Sequence, residues 1–114
     1  GQIVGGVVHG IGNALYEWMG YDENGQPLTT NFGEYLMPTA TELPHIDMIY
    51  ETSPSPLNPL GVKGVGETGT VPAAAAIVSA VEHALEPFGA QLTDYPVKPA
   101  TLVEIVRRGM PAAT

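Results

Sequence analysis

Glu67 is the residue of this sequence best placed to do chemistry. It stands among Gly61, Gly64, Gly66 and Gly69, directly ahead of an alanine-rich run. Glycines carry no side chain to shield it, and the free amides at the start of a helix form a ready site for a ligand. A carboxylate held there can accept a proton from a water or hydroxide that it touches. Lys63, the only Lys or Arg before residue 98, lies in the same stretch and would favour the ionised form.

Other readings of the loop from Gly61 to Thr70 fare less well. Gly64-Val65-Gly66-Glu67-Thr68-Gly69 fits G-x-G-x-x-G, yet a dinucleotide fingerprint follows an apolar strand, and here Ser53 to Pro59 come first. A P-loop needs Lys directly after its last glycine, where this chain has Thr70. The plainest alternative is a simple turn into a helix, with Lys63 and Glu67 paired at the surface in a contact worth ~0–1 kcal/mol.

The elements that position this loop follow from periodicity. Ile3, Val7, Ile11, Leu15 and Trp18 recur at three- and four-residue intervals, which predicts a first helix over 3–18 with Trp18 in the core and Tyr16 at the rim. Gly5, Gly6, Gly10 and Gly12 lie inside it, each costing ~1 kcal/mol relative to Ala, so close approach of a backbone or a ligand must compensate. Asn24-Gly25 predicts a hairpin turn between two short segments. Residues 31–44 hold too many breaks for a regular element, with Glu34 to Met37 open to a short strand or a turn of helix. His45 to Glu51 alternates, placing Ile46, Met48 and Tyr50 on one face of a half-buried strand. Pro54, Pro56 and Pro59 make 52–60 an extended connector.

Thr70 as N-cap and Pro72 in the first turn introduce a second helix over Ala73 to Leu85, ended by Pro87 and Gly89. A short third helix, Pro99 to Arg108, turns Leu102, Ile105 and Val106 inward and sets Arg107 and Arg108 at the negative end of its dipole. The tail after Gly109 is expected to fray. The resulting fold class is α+β: a small, mostly antiparallel sheet packed with two longer helices and a short C-terminal helix.

Composition limits the function. The chain has 114 residues, 44% of them hydrophobic, and its mean hydropathy of +0.08 argues against intrinsic disorder and for a packed object. Twelve acidic against four basic side chains give a net charge of -8, which repels phosphate backbones and anionic lipid and leaves no footprint for nucleic acid. With no cysteine there are no disulfides or thiolate metal sites, His9 on the first helix reads as a packed or surface histidine rather than a ligand, and His45 and His83 have no partners at metal spacing. Neither a membrane span nor a signal peptide is visible, which reads as cytoplasmic. The opening Gly1-Gln2-Ile3-Val4-Gly5-Gly6 runs straight into patterned sequence, as a cut end would.

Pro54-Ser55-Pro56-Leu57-Asn58-Pro59-Leu60-Gly61-Val62-Lys63-Gly64-Val65-Gly66-Glu67, followed by the Ala-rich helix, resembles the C-terminal end of the molybdenum-binding large subunit of the molybdenum hydroxylases. This is the xanthine oxidase family, in its bacterial carbon monoxide and aldehyde dehydrogenase-like branch. Gly1-Gln2-Ile3 with Gly5-Gly6, the turn at Asn24-Gly25, and Glu34-Tyr35 with Pro38 extend the likeness over nearly the whole chain. Val4 departs from the family pattern, which has Glu there.

The resemblance implies that residues 1–114 form a single domain or a fragment, the C-terminal portion of a molybdopterin-binding domain. It implies an oxidoreductase that hydroxylates an aldehyde, a heterocycle or carbon monoxide with water as oxygen source. Glu67 then matches the base that deprotonates the molybdenum-bound hydroxide or water. Gln2, Lys63, Gly64, Val65, Gly66 and Thr68 match cofactor-binding positions, Gln2 by a hydrogen bond to the pterin. The implied cofactor is molybdopterin in its cytosine dinucleotide form, whose dithiolene holds the metal without side-chain ligands. FAD and iron–sulfur clusters belong to partner chains, and the remainder of the molybdenum-binding subunit completes a site for a small-molecule substrate. The isolated chain is expected to be inactive and to self-associate through an apolar patch on the glycine face of the first helix. A non-catalytic interaction domain that keeps the fold is the second reading.

Overall fold

The computed structural model describes residues 1–110, so most of the tail expected to fray lies outside the described residues. Three α-helices form: α1 (Gln2–Leu15), α2 (Thr70–Ala84) and α3 (Pro99–Gly109), with a 3-10 turn at Glu86–Phe88 following α2. All three match the periodicity within a few residues.

The centre of the molecule is the crossing of α1 and α2. Gly6, Gly10, Gly12 and Ala14 are the buried positions of α1, and Ala73 is that of α2. A Cβ added at Gly10 would run into the Cβ of Ala73, and one at Gly69 into the carbonyl oxygen of Ile3. Only bare backbone allows so close an approach, and the many short contacts it creates offset the poor helix propensity of the glycines. Thr70 is drawn into the same contact. It is the first residue of α2, after Gly69 at the N-cap, and its Oγ1 donates to the carbonyl oxygen of Gly6 at 3.1 Å. The expected Thr70 cap is thus replaced by a bond between helices.

Gly89, at φ +69°, ends the 3-10 turn in the left-handed region. Leu102, Ile105 and Val106 of α3 are half-buried, as expected. Val97, just before α3, donates its N–H to the carbonyl oxygen of Ala14 at 2.7 Å and ties this end of the chain to the end of α1. Trp18 is 43% exposed rather than in the core, and Lys98 Nζ lies 3.9 Å from its ring centroid. The indole is held by a cation–π contact at the surface.

The α+β expectation is wrong: the described residues form no strand and no sheet. Their one β pairing is the antiparallel bridge between Tyr21 and Pro27. The turn itself closes as expected, with Gly25 at φ +79° and the Asp22 carboxylate accepting from the N–H groups of Asn24 and Gln26. Pro27 has no N–H to give, which stops the ladder at one rung. Glu34 and Tyr35 close a turn with their N–H groups on the Asn31 carbonyl oxygen, and Leu36 and Met37 leave it without a regular element. His45 to Glu51 runs without a regular element. Its alternation survives only as half-buried Ile46 and Met48 between exposed Asp47 and Ile49, because no second strand stands beside it.

The packed object expected from composition does not form either. The chain exposes 8776 Å², against roughly 6,000 Å² for a compact monomer of this mass. Its radius of gyration is 18.4 Å, where a compact chain of this length has about 13 Å. The apolar surface is also not where it was expected. α2 covers the glycine face of α1, while Phe32, Ile49, Leu57 and Leu60 stand 79–92% exposed along residues 32–60. Among the described residues no helix is long and apolar enough to cross a membrane.

Candidate active site

The prolines of the 52–60 connector feed a closed loop rather than a plain extended run. Asn58 Nδ2 donates to the carbonyl oxygen of Val62 at 2.9 Å, and Asn58 Oδ1 accepts from the Val62 N–H at 3.1 Å. The Ser55 N–H reaches the Gly61 carbonyl oxygen at 3.0 Å. This clamp releases the chain at Lys63. From there the Thr68 N–H donates to Val65, and the N–H groups of Thr70 and Val71 donate to the carbonyl oxygen of Glu67 at 3.1 Å. Glu67 therefore sits on the turn that becomes α2, next to the positive end of that helix.

The first turn of α1 approaches this loop from the other side. Gln2 Nε2 donates to the carbonyl oxygen of Gly66 at 3.1 Å, across 64 residues of sequence. Between the two elements lies an open cleft of about 420 Å³ whose lining includes Gln2, Gly5, His9, Gly66, Glu67 and Thr70. A Cβ at Gly5 would meet nothing within 4 Å, so there the backbone of α1 is bare toward the space around it. Of the glycines in α1, Gly10 serves the helix crossing, Gly5 lines the cleft, and Gly6 does both.

The structure brings Gln2, Gly66 and Glu67 together at this cleft. Lys63, Gly64, Val65 and Thr68 are exposed on the same loop but do not line it. The surface ion pair weighed for Lys63 and Glu67 is not formed; the ion pairs among the described residues are His45–Asp47 and Arg108–Glu104. No group of three His, Cys, Asp or Glu side chains among the described residues could hold a metal ion.

Two features were not found from the sequence. His9 lines the cleft one turn beyond Gly5, and that spacing on a helix was the available signal. Tyr35 Oη donates to Glu17 Oε2 at 2.9 Å, beside a second cleft of about 380 Å³ that also borders Gly5 and His9. The bond to the Glu17 carboxylate raises the Tyr35 phenol above its ordinary value. Nothing in an 18-residue separation announces such a pair.

The cleft joins a helix start, a glutamine and a carboxylate on a floor of glycine backbone. Residues 1–44 match the molybdopterin cofactor-binding domain family. The chain is 52% identical over 86 residues to the 6-hydroxypseudooxynicotine dehydrogenase complex subunit gamma of Paenarthrobacter nicotinovorans, covering 75% of this chain and 11% of that subunit. It is 42% identical over 107 residues to the nicotine 6-hydroxylase large subunit of the same organism, covering 94% of this chain and 13% of the relative. The crystal structure of quinoline 2-oxidoreductase from Pseudomonas putida 86 superposes with a TM-score of 0.87 at 38% identity, over 93% of this chain and 14% of that one. The chain belongs to the molybdenum-binding large-subunit family of the molybdenum hydroxylases. It spans 11–14% of the length of these relatives.

Proposed function

We propose that this chain contributes the base and part of the cofactor site of a molybdenum-dependent oxidoreductase, which hydroxylates a ring carbon of a nitrogen heteroaromatic with an oxygen from water. The observation that carries this reading is the shared cleft of Gln2, Gly5, Gly66 and Glu67 between α1 and the loop before α2. The three relatives above bear the names of nicotine, a nicotine derivative and quinoline, all nitrogen-containing rings, which favours a heterocycle over an aldehyde or carbon monoxide.

The residues suit molybdopterin. Bare backbone at Gly5, Gly64 and Gly66, where a Cβ would meet nothing within 4 Å, admits a flat ring system to van der Waals contact. Gln2 offers amide donors and an acceptor at the rim and Gly66 lines the same cleft, while Lys63, Gly64, Val65 and Thr68, exposed beside it on the loop, supply the further cofactor contacts. The cytosine dinucleotide form is the one that the family resemblance favours. When bound, this cofactor supplies a two-electron acceptor and the metal that activates water. Glu67 takes the proton from the attacking oxygen, and its place outside the crossing leaves the carboxylate free to approach that oxygen. Iron–sulfur and FAD groups of partner chains would carry the two electrons away.

The exposed side chains of residues 32–60 are covered by the remainder of the molybdenum-binding subunit, which also closes the substrate site. That same surface is what favours the second reading, a non-catalytic interaction unit. Assay of the complete enzyme in H₂¹⁸O with pyridine- and quinoline-type rings separates the two. The proposal expects molybdenum in the purified protein and ¹⁸O in the product. A molybdenum-free complex assembled with all its partners supports the interaction unit instead, and turnover of carbon monoxide alone refutes the heterocycle.

A further inference from the structure

We infer that Gln2 is a positioning residue for Glu67: its side chain holds the loop that carries the carboxylate against the first turn of α1. The inference rests on the reading of Glu67 as the base. The carbonyl that accepts from Gln2 Nε2, at 3.1 Å, is that of Gly66, and it belongs to the peptide unit joining Gly66 to Glu67. Fixing that unit fixes the N and Cα of Glu67, and the Glu67 carbonyl, which accepts from the Thr70 and Val71 N–H groups, sets the next unit, so the two together set where the side chain leaves the backbone.

A second anchor lies on the far side of Glu67. Thr70 Oγ1 donates to the carbonyl oxygen of Gly6 at 3.1 Å. Gln2 and Gly6 are one helical turn apart on α1, so both anchors fasten the loop to one rigid element. Between them the turn closes on itself through the Thr68, Thr70 and Val71 N–H groups, and apart from these and the packing of Gly69 on α1 the side of the turn that carries Glu67 has no packing of its own. A Cβ at Gly64 or Gly66 would meet nothing within 4 Å, and Glu67 and Thr68 are exposed. Glycine loses more freedom on ordering than any other residue, so this segment needs fastening from outside itself. Glutamine suits the task by reach and by donor. Asparagine is one methylene shorter, and glutamate has no N–H to give the Gly66 carbonyl.

Gln2 therefore acts on the reaction through the base rather than only by touching the cofactor. Misplacing a catalytic group by about 1 Å costs ~10²-fold in rate. The test is a double-mutant cycle in the complete, molybdenum-loaded enzyme with Gln2→Ala, Glu67→Gln and both. Gln2→Ala should lower kcat by ~10²-fold with KM little changed and molybdenum content near wild type. In the Glu67→Gln background it should add almost nothing, because no base remains to be misplaced. Amide hydrogen exchange over residues 65–70 should rise in Gln2→Ala in either background.

Equal losses in both backgrounds would overturn the inference, as would a fall in molybdenum content with turnover per molybdenum intact; Gln2 would then serve the cofactor alone. Unchanged exchange over 65–70 would also overturn it. If Glu67→Gln keeps wild-type turnover, the reading of Glu67 as base has failed, and the exchange result decides the loop anchor by itself.

Discussion

The crossing of α1 and α2 and the segment 32–60 are built on opposite principles. At the crossing, small residues let two backbones meet, and the contact needs nothing beyond the chain itself. Along 32–60, large apolar side chains stand in solvent, with Leu57 92% and Ile49 90% exposed. The difference shows where the chain can hold its own geometry. Both elements that frame the cleft, the start of α1 and the loop entering α2, belong to the self-supporting part. Glu67 is thereby given a fixed frame, while the surface around it is left for other chain to cover.

Substitutions at the crossing should have the largest effect on folding. Gly69→Ala and Gly10→Ala force a Cβ onto Ile3 backbone and Ala73 respectively, and should cost about 3 kcal/mol or separate the helices. Gly5→Ala meets no atom and should instead gain ~1 kcal/mol of helix propensity. Denaturant unfolding followed by helical signal checks the contrast, and equal effects at Gly5 and Gly10 would break it. The segment 32–60 is next. The isolated chain should associate with rising concentration and bind apolar dyes, and Ile49→Ser with Leu57→Ser and Leu60→Ser should suppress both. Sedimentation velocity reads this directly, and a monodisperse wild-type monomer without dye binding contradicts it.

The smallest effect is electrostatic. Hydrogen bonds from the Thr39 hydroxyl and N–H, and from the Thr41 hydroxyl, hold the Glu42 carboxyl below its ordinary value. A lowered folded-state value means that the ionised form supports the turn. That support is present above the ordinary carboxylate range and is lost as pH falls through the lowered value. Chemical shifts of the Thr39 amide should follow this titration, while the signals of the crossing stay constant.

The helices were legible because a helix satisfies its own backbone, so the pattern from Ile3 to Leu15 or from Pro99 to Arg108 carries its own conclusion. That the expected sheet would not form was not legible, because a strand needs a neighbour. Ile46, Met48 and Tyr50 mark a face meant for cover, and the sequence does not say whether a strand, a helix or another part of a subunit supplies it. The same distinction applies at the site. The glycines around Glu67 advertised an approachable carboxylate, and the glycines of α1 advertised close contact. That Gly10 packs on α2, Gly5 lines the cleft and Gly6 does both is a matter of helix phase and crossing point, fixed only in three dimensions. The hydroxyl of Thr70 illustrates the limit: capping and bridging need the same residue type, and the neighbour decides between them.

The central claim is that Glu67, held in this frame, moves the proton. Glu67→Gln in the complete enzyme keeps the size and hydrogen-bonding capacity of the side chain and removes the base. Substrate reduction of the enzyme, measured as rate per bound molybdenum, should fall by ~10²–10⁴-fold while molybdenum content and substrate binding stay near wild type. An unchanged rate per molybdenum, with cofactor content or folding reduced instead, would mean that Glu67 is scaffolding and that the proton goes elsewhere.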